Sequence, residues 1–247
     1  MRYFLEISYR GTNYHGFQFQ KNANTIQQEI EKALAILSRN EIKITCSSRT
    51  DSGVHAIQNF AHFDFENPLP ENLMYKMNCV LPRDICIKNI FPVTNDANAR
   101  FSAVSRTYKY VISTIKDPFL SGLCYYHPVT LTIQWLNLAS QELLSHTDFT
   151  SFSKTHSQSK TNICHIKNAE WKKEGNLFVF YIKADRFLWG MVRALAGTMI
   201  LVGDGTKTVD DFKKIIDGKN RMLAGSSVPA EGLFLCEVEY PKEIFLK

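Results

Sequence analysis

Hydrophobic and polar positions alternate from Tyr3 to Tyr9, the period-two pattern of a strand with one buried face. The pattern stops in the turn-rich stretch Arg10-Gly11-Thr12-Asn13-Tyr14-His15-Gly16. The period then becomes helical: Ile26, Ile30, Leu34 and Leu37 recur on one face behind Thr25, with Gln28 placed to complete a capping box. A β-branched run, Ile42-Lys43-Ile44-Thr45, and a strand-like run from Asn59 to Phe65 follow. A short helix is expected near Glu71 to Asn78, introduced by Pro68 and Pro70, and a strand over Ile85 to Val93. The order is β-α-β-β-α-β.

The same order returns further along. Thr107 to Ile112 reads as a strand and Ile133 to Leu144 as a helix. Residues near Asn162 to Lys172 and from Leu177 to Ala184 make two strands, the second alternating clearly. A long apolar helix is expected from about Phe187 to Val202, an extra helix over Val209 to Ile216, and a last strand over Leu233 to Tyr240. Two successive units of this kind are ferredoxin-like halves, so the expected class is α+β with antiparallel sheets. Asn95-Asp96-Ala97-Asn98 is the natural boundary, giving halves over 1–98 and 99–247.

Composition narrows the partners. The chain has 247 residues, 45% hydrophobic and 21% charged, which is enough apolar content to bury a core and argues against extensive disorder. The net charge of +5 is mild, but its distribution is uneven. No acid lies between Asp96 and Asp117, where Arg100, Arg106 and Lys109 occur. None lies between Asp148 and Glu170, where Lys154, His156, Lys160, His165 and Lys167 occur. Such segments suit a polyanion better than a membrane, because neither reads as an amphipathic helix. No membrane-length apolar run occurs, and Glu6 interrupts the N-terminus too early for a signal-peptide core. Cys46, Cys79, Cys86, Cys124, Cys164 and Cys236 form no CxxC pair. Free thiols in the cytoplasm are therefore expected, with no structural metal.

The candidate chemistry is narrow. No phosphate-binding glycine loop, dinucleotide motif or GxSxG elbow occurs, and Gly203-Asp204-Gly205 reads as a helix C-cap and turn. His55 and His62, isolated on strand-like segments, are more often structural than ligands. What stands out is Arg49-Thr50-Asp51-Ser52-Gly53-Val54-His55-Ala56 between two strand-like runs. A carboxylate at a strand end, followed by a glycine that turns the chain, is well placed to meet a ligand, and Arg49 with Thr50 could hold a phosphate or sugar beside it. An Asx turn is the plainer alternative for Asp51.

This octapeptide resembles the active-site signature of the TruA family of tRNA pseudouridine synthases. The resemblance continues in Tyr9 to Gln18, Thr25-Ile26-Gln27, Arg100-Phe101-Ser102-Ala103 with Arg106 to Tyr110, and Asp148 to Phe152. It extends to Phe187-Leu188-Trp189-Gly190-Met191-Val192-Arg193, Arg221 to Gly225 and Pro229 to Leu233. Phe17 stands where the family usually has Trp, Ser52 where Ala is usual, and Trp189-Gly190 where a more polar pair is common. His156-Ser157-Gln158 lacks a cysteine common in that loop.

The resemblance implies an isomerase with Asp51 as catalytic carboxylate, Arg193 as its arginine and Tyr108 as its active-site tyrosine. It implies two halves joined around a central RNA-binding cleft, a homodimer across which each tRNA lies, and uridines 38, 39 and 40 of the anticodon arm as targets. Breaking the N1–C1′ bond, turning the uracil and rejoining it through C5 needs neither redox change nor group donor, so no cofactor is expected. The carboxylate adds to ribose or base, or takes a ribose proton. Desolvation against a base disfavours its charged form, and a neighbouring arginine counters this. Tyr108 either stacks on the extruded uracil or is a sheet-core tyrosine like Tyr110, which shares its face. Leu188 is an apolar pocket wall or core. Arg10, Gln18, Arg49, His55, Lys154 and Lys160 complete the expected substrate contacts.

Two other classes compete. A non-catalytic RNA-binding protein could share the ferredoxin-like fold, but no aromatic-rich basic strand of the RNA-recognition type occurs. A nucleoside hydrolase would pair two carboxylates, and the signature offers one.

Overall fold

The computed structural model describes residues 1–66, 69–154 and 160–246. In chain order its strands and α-helices are β1 (Arg2–Tyr9), α1 (Ile26–Ser38), β2 (Thr45–Cys46), β3 (His55–Asp64), α2 (Leu73–Val80), β4 (Ile85–Val93), β5 (Ser105–Ser113), β6 (Tyr125–Tyr126), α3 (Ile133–Glu142), β7 (Ile166–Glu174), β8 (Leu177–Ala184), α4 (Met191–Gly203), α5 (Val209–Asp217) and β9 (Leu233–Glu239). The class is α+β, as expected. Contacts divide the chain into one unit of residues 1–104 with 234–247, and a second of 105–233. Pro68 and His156-Ser157-Gln158 lie outside the described residues.

In the first unit β1 runs antiparallel to both β3 and β4. Two-residue β2 pairs antiparallel with β3 at its far end, and β9 pairs parallel with its start through His55 beside Phe234. The sheet is therefore mostly, not wholly, antiparallel. The alternation in β1 leads one to expect a wet face, yet Phe4, Leu5, Glu6 and Ile7 are all buried. Burial of Glu6 is tolerable because both its neighbours serve it. Gln58 Nε2 donates to one carboxylate oxygen at 2.9 Å and Asn89 Nδ2 to the other at 2.8 Å. Phe4 meets the Tyr240 and Phe245 rings edge-on, so the C-terminal segment covers that part of the sheet.

The run Ile42 to Thr45 is the clearest departure from strand expectations. Ile42 and Ile44 are buried and Lys43 and Thr45 exposed, so the alternation is real, but only Thr45 and Cys46 join the ladder. Helix α1 replaces the missing partner. The Ile44 amide donates to Glu31 Oε1 at 3.0 Å, and Gln27 Nε2 donates to the Ile44 carbonyl at 3.2 Å. A backbone satisfied by side chains needs no neighbouring strand. Thr25 caps α1 by accepting from the Gln28 amide at 3.3 Å.

In the second unit β8 lies antiparallel between β5 and β7, and short β6 runs parallel beside β5. Helix α3 is pinned to β7 by Asn137, which donates to the Trp171 carbonyl and accepts from the Trp171 amide at 3.0 and 2.8 Å. Helix α4 is buried almost all round, as a sequence that is apolar apart from Arg193 and Thr198 demands. It starts at Met191 rather than Phe187. Gly190, its N-cap, has φ +73°, and this left-handed residue holds Phe187, Leu188 and Trp189 outside the helix. Thr208 and Asp211 form a full capping box on α5. No helix among the described residues is long and apolar enough to cross a membrane.

Candidate active site

In the first unit, the signature loop and the turn-rich segment after β1 interlock. The Phe17 amide donates to the Thr50 carbonyl at 3.1 Å, and the Gly53 amide to the Tyr14 carbonyl at 3.3 Å. The Gly11 amide donates to His55 Nδ1 at 3.0 Å. The contact admits no extra atoms. A Cβ on Gly16, whose φ is +89°, would lie 2.6 Å from the Thr50 carbonyl oxygen, and one on Gly11 would lie 2.0 Å from that of Val54. Thr50 Oγ1 meets the Tyr9 hydroxyl at 2.7 Å, and Asn59 Nδ2 donates to that hydroxyl and to the Ser48 carbonyl at 3.2 and 3.1 Å.

Asp51 stands on this clamped loop between buried Thr50 and exposed Ser52, itself half-buried. Its carbonyl accepts from the Val54 amide at 3.1 Å, closing the turn that Gly53 permits at φ +78°. The chain therefore turns at Asp51 through its backbone carbonyl, and the residue itself is half-buried. Ser52 Oγ donates to the Tyr14 carbonyl at 3.2 Å, a tie that the more usual Ala lacks. Phe17 is fully buried beside the Tyr9 ring, so its difference from Trp is a matter of packing.

The other expected residues of this unit sort by burial. Arg10, Gln18 and Arg49 are exposed on the same pair of loops. Arg10 Nε donates to Thr12 Oγ1 at 3.3 Å, a weak tie that leaves the group at the surface. His55 is buried and stacked on Phe234 with ring centroids 4.6 Å apart. With Nδ1 accepting from Gly11, it acts on the loop from inside. Tyr9 and Asn59, which hold the loop, were not singled out in the sequence, and Thr50, read there as a phosphate or sugar contact, is buried with its hydroxyl on Tyr9. Their signal is a set of polar groups on a strand and loop that are otherwise apolar inside.

In the second unit the two tyrosines of β5 part company. Tyr110 is fully buried, its hydroxyl donating to the Pro229 carbonyl at 2.8 Å, and Gly232 leaves room for its ring. Burial holds the Tyr110 phenol strongly towards its protonated form, against the opposing field of Arg193. Tyr108 is half-buried and meets Phe187 edge-on, with centroids 5.1 Å apart at 87°. The core-tyrosine role thus belongs to Tyr110, and Tyr108 retains ring surface.

Arg193 lies in the first turn of α4, where the helix dipole disfavours a cation. Its Nε donates to the Val228 carbonyl at 2.7 Å, which fixes the guanidinium. A positive group held where the backbone is already positive is costly to the fold and attractive to an anion. Leu188 is buried just ahead of the helix. Lys154 and Lys160 are exposed, and the Lys154 ammonium lies 3.9 Å over the Trp189 ring. Of the other basic residues, Arg106 donates to the Asp185 carbonyl at 2.9 Å, and His165 pairs with the Asp185 carboxylate at 2.9 Å.

The model of the tRNA pseudouridine synthase family matches residues 7–102 and 139–241. The chain belongs to the tRNA pseudouridine synthase family. Members are isomerases that convert uridine to pseudouridine. The match spans both units and includes the Asp51 loop and Arg193, while Tyr108 falls in the interval between the matched segments. A protein named tRNA pseudouridine synthase A from Parabacteroides distasonis is 50% identical over 246 residues, covering 99% of this chain and 98% of its own. Its namesake in Bacteroides fragilis is 49% identical over 247 residues, with 99% and 98% covered. One from Staphylococcus aureus is 36% identical over 250 residues, with 100% and 94% covered. Similarity therefore runs through nearly the whole chain.

Proposed function

We propose that this synthase isomerises uridines 38, 39 and 40 in the anticodon arm of tRNA, with Asp51 as the catalytic carboxylate. The observation that carries the reading is the Asp51 loop itself: within a chain of this family, a half-buried carboxylate is held on a turn that three backbone hydrogen bonds and two obligatory glycines prevent from shifting. Positioning of that quality is what a group needs when it must meet one carbon of a ribose or base.

In this reading Arg193 keeps the carboxylate charged when an RNA base displaces water. Tyr108 stacks on the extruded uracil and assists proton removal from C5. Leu188 forms an apolar wall. Arg10, Gln18, Arg49, Lys154 and Lys160 grip the surrounding RNA by shape and phosphate contact, and His55 positions the loop from within. The enzyme works as a homodimer in the cytoplasm, without cofactor or metal. The unit of residues 1–104 with 234–247 carries the carboxylate, and the unit of residues 105–233 carries the tyrosine and arginine.

The direct test incubates purified protein with unmodified tRNA transcripts and maps pseudouridine chemically. Product at one or more of positions 38, 39 and 40, absent with Asp51→Asn, supports the assignment. Product confined to other positions, or none at all, overturns it.

A further inference from the structure

We propose that Trp189 and Lys154 form a stacking platform for a second, non-reacting nucleotide of the RNA, the base lying on the indole and its phosphate pairing with the ammonium. The inference rests on the proposed RNA substrate but concerns a residue that the catalytic reading leaves idle. The indole is 48% exposed, although it sits between buried Leu188 and the largely buried helix α4. An aromatic ring of that size at the head of a buried helix would be expected to turn inward, as Trp171 does against Phe180.

The local backbone keeps it out. Gly190 takes φ +73° with open space around it, so the bend is set by conformation and not by crowding. The Lys154 amide donates to the Trp189 carbonyl at 3.1 Å, which locks the two segments side by side, and the ammonium then settles 3.9 Å over the ring. A flat π-face beside a cation is the combination that binds single-stranded nucleotides with little regard to base identity. Its place is also specific. Trp189 stands between Leu188 and the helix that presents Arg193 in its first turn, so a base seated there flanks the nucleotide undergoing reaction.

The test compares wild type with Trp189→Ala, Trp189→Phe, Trp189→Leu and Lys154→Gln on one unmodified tRNA transcript. Tryptophan emission during titration, KM and kcat for pseudouridine formation, and thermal unfolding are read together. Wild-type emission should be quenched by tRNA, and the part due to Trp189 should vanish in the Phe variant. Trp189→Ala and Trp189→Leu should raise KM by roughly ten- to hundredfold with kcat little changed, while Trp189→Phe recovers most of the affinity. Lys154→Gln should raise KM more modestly and flatten the salt slope of binding by up to about one unit. A folded Leu variant with wild-type KM, or a Phe variant as weak as the Ala variant, overturns the platform. Should Ala fail to fold, Leu and Phe decide. If wild type binds tRNA with the Trp189 quench yet forms no pseudouridine, the proposed function fails and the platform stands. If wild type forms pseudouridine and all Trp189 variants match it, only the platform falls.

Discussion

Replacing Asp51 by Asn keeps size and hydrogen-bonding capacity while removing the charge, and the turn that carries it depends on backbone bonds that Asn can also make. Pseudouridine formation is expected to fall by far more than tenfold with folding and tRNA affinity nearly intact. Turnover within about tenfold of wild type, a barrier change of only about 1.4 kcal/mol, removes Asp51 from the catalytic role. A second prediction concerns stability. His62 is buried and its Nδ1 accepts from the Ala99 amide at 3.1 Å, and desolvation, then Arg2, lowers its pKa below the ordinary 6.5, with Asp64 opposing. The unfolded chain therefore takes up this proton more readily than the folded one. Its contribution to stability is complete above about pH 6.5 and is lost as pH falls towards the folded value. His62→Gln, which can still accept from Ala99, should flatten the dependence of denaturation midpoint on pH below 6.5; an unaltered slope assigns that dependence elsewhere. At this scale the sequence is legible where a residue type announces its chemistry, as Asp51 does. It is silent on which of Tyr108 and Tyr110 is core, because alternation puts both on one face and only the partners, Phe187 and Pro229, tell them apart.

Two glycines with positive φ allow element-level strain to be separated from crowding. Gly16→Ala meets both: its φ of +89° is unfavourable to a side chain, and its Cβ would lie 2.6 Å from the Thr50 carbonyl oxygen. The cost should exceed about 2 kcal/mol, and because the displaced group adjoins Asp51, activity of the folded fraction should fall as well. Gly190→Ala meets only the first, with nothing near its Cβ, so a loss of about 1 kcal/mol is expected. Chemical denaturation of both variants checks the order. Equal costs would mean that the Asp51 loop yields, contrary to the clamp described here. Elements were legible where one period persisted: β4 and the Thr25 cap of α1 lie where the pattern puts them. They were not where a single residue decides. Gly190 delays α4 by four residues, and Glu31 and Gln27 replace a strand partner for Ile44, neither of which periodicity can register.

At the scale of the whole molecule, element order gave the α+β class and the repeated pattern, but it reads the chain as two consecutive stretches. Residues 234–247 instead share contacts with the first 104, because β9 pairs with β3 and Tyr240 and Phe245 cover Phe4. Such a return is invisible to patterns measured along the chain. Charge at this scale yields the last prediction, which separates tRNA binding from self-association by their response to salt. Each copy carries +5, so two copies repel weakly while both attract the polyanion. Raising salt should weaken tRNA binding, with each phosphate neutralised in a duplex-like arm adding roughly −0.9 to the slope of log K against log salt. Arg10→Gln and Lys160→Gln should each flatten that slope by up to about one unit and weaken all tRNAs alike. The homodimer, by contrast, should be held or strengthened by the same salt, since screening removes only repulsion. Sedimentation of the RNA-free protein at micromolar concentration is therefore expected to give about twice 28.3 kDa at both low and high salt. A particle that doubles only when tRNA is added, and dissociates as salt rises, would mean that RNA bridges two monomers. A fully active monomer would exclude the shared cradle altogether and leave the Asp51 chemistry untouched.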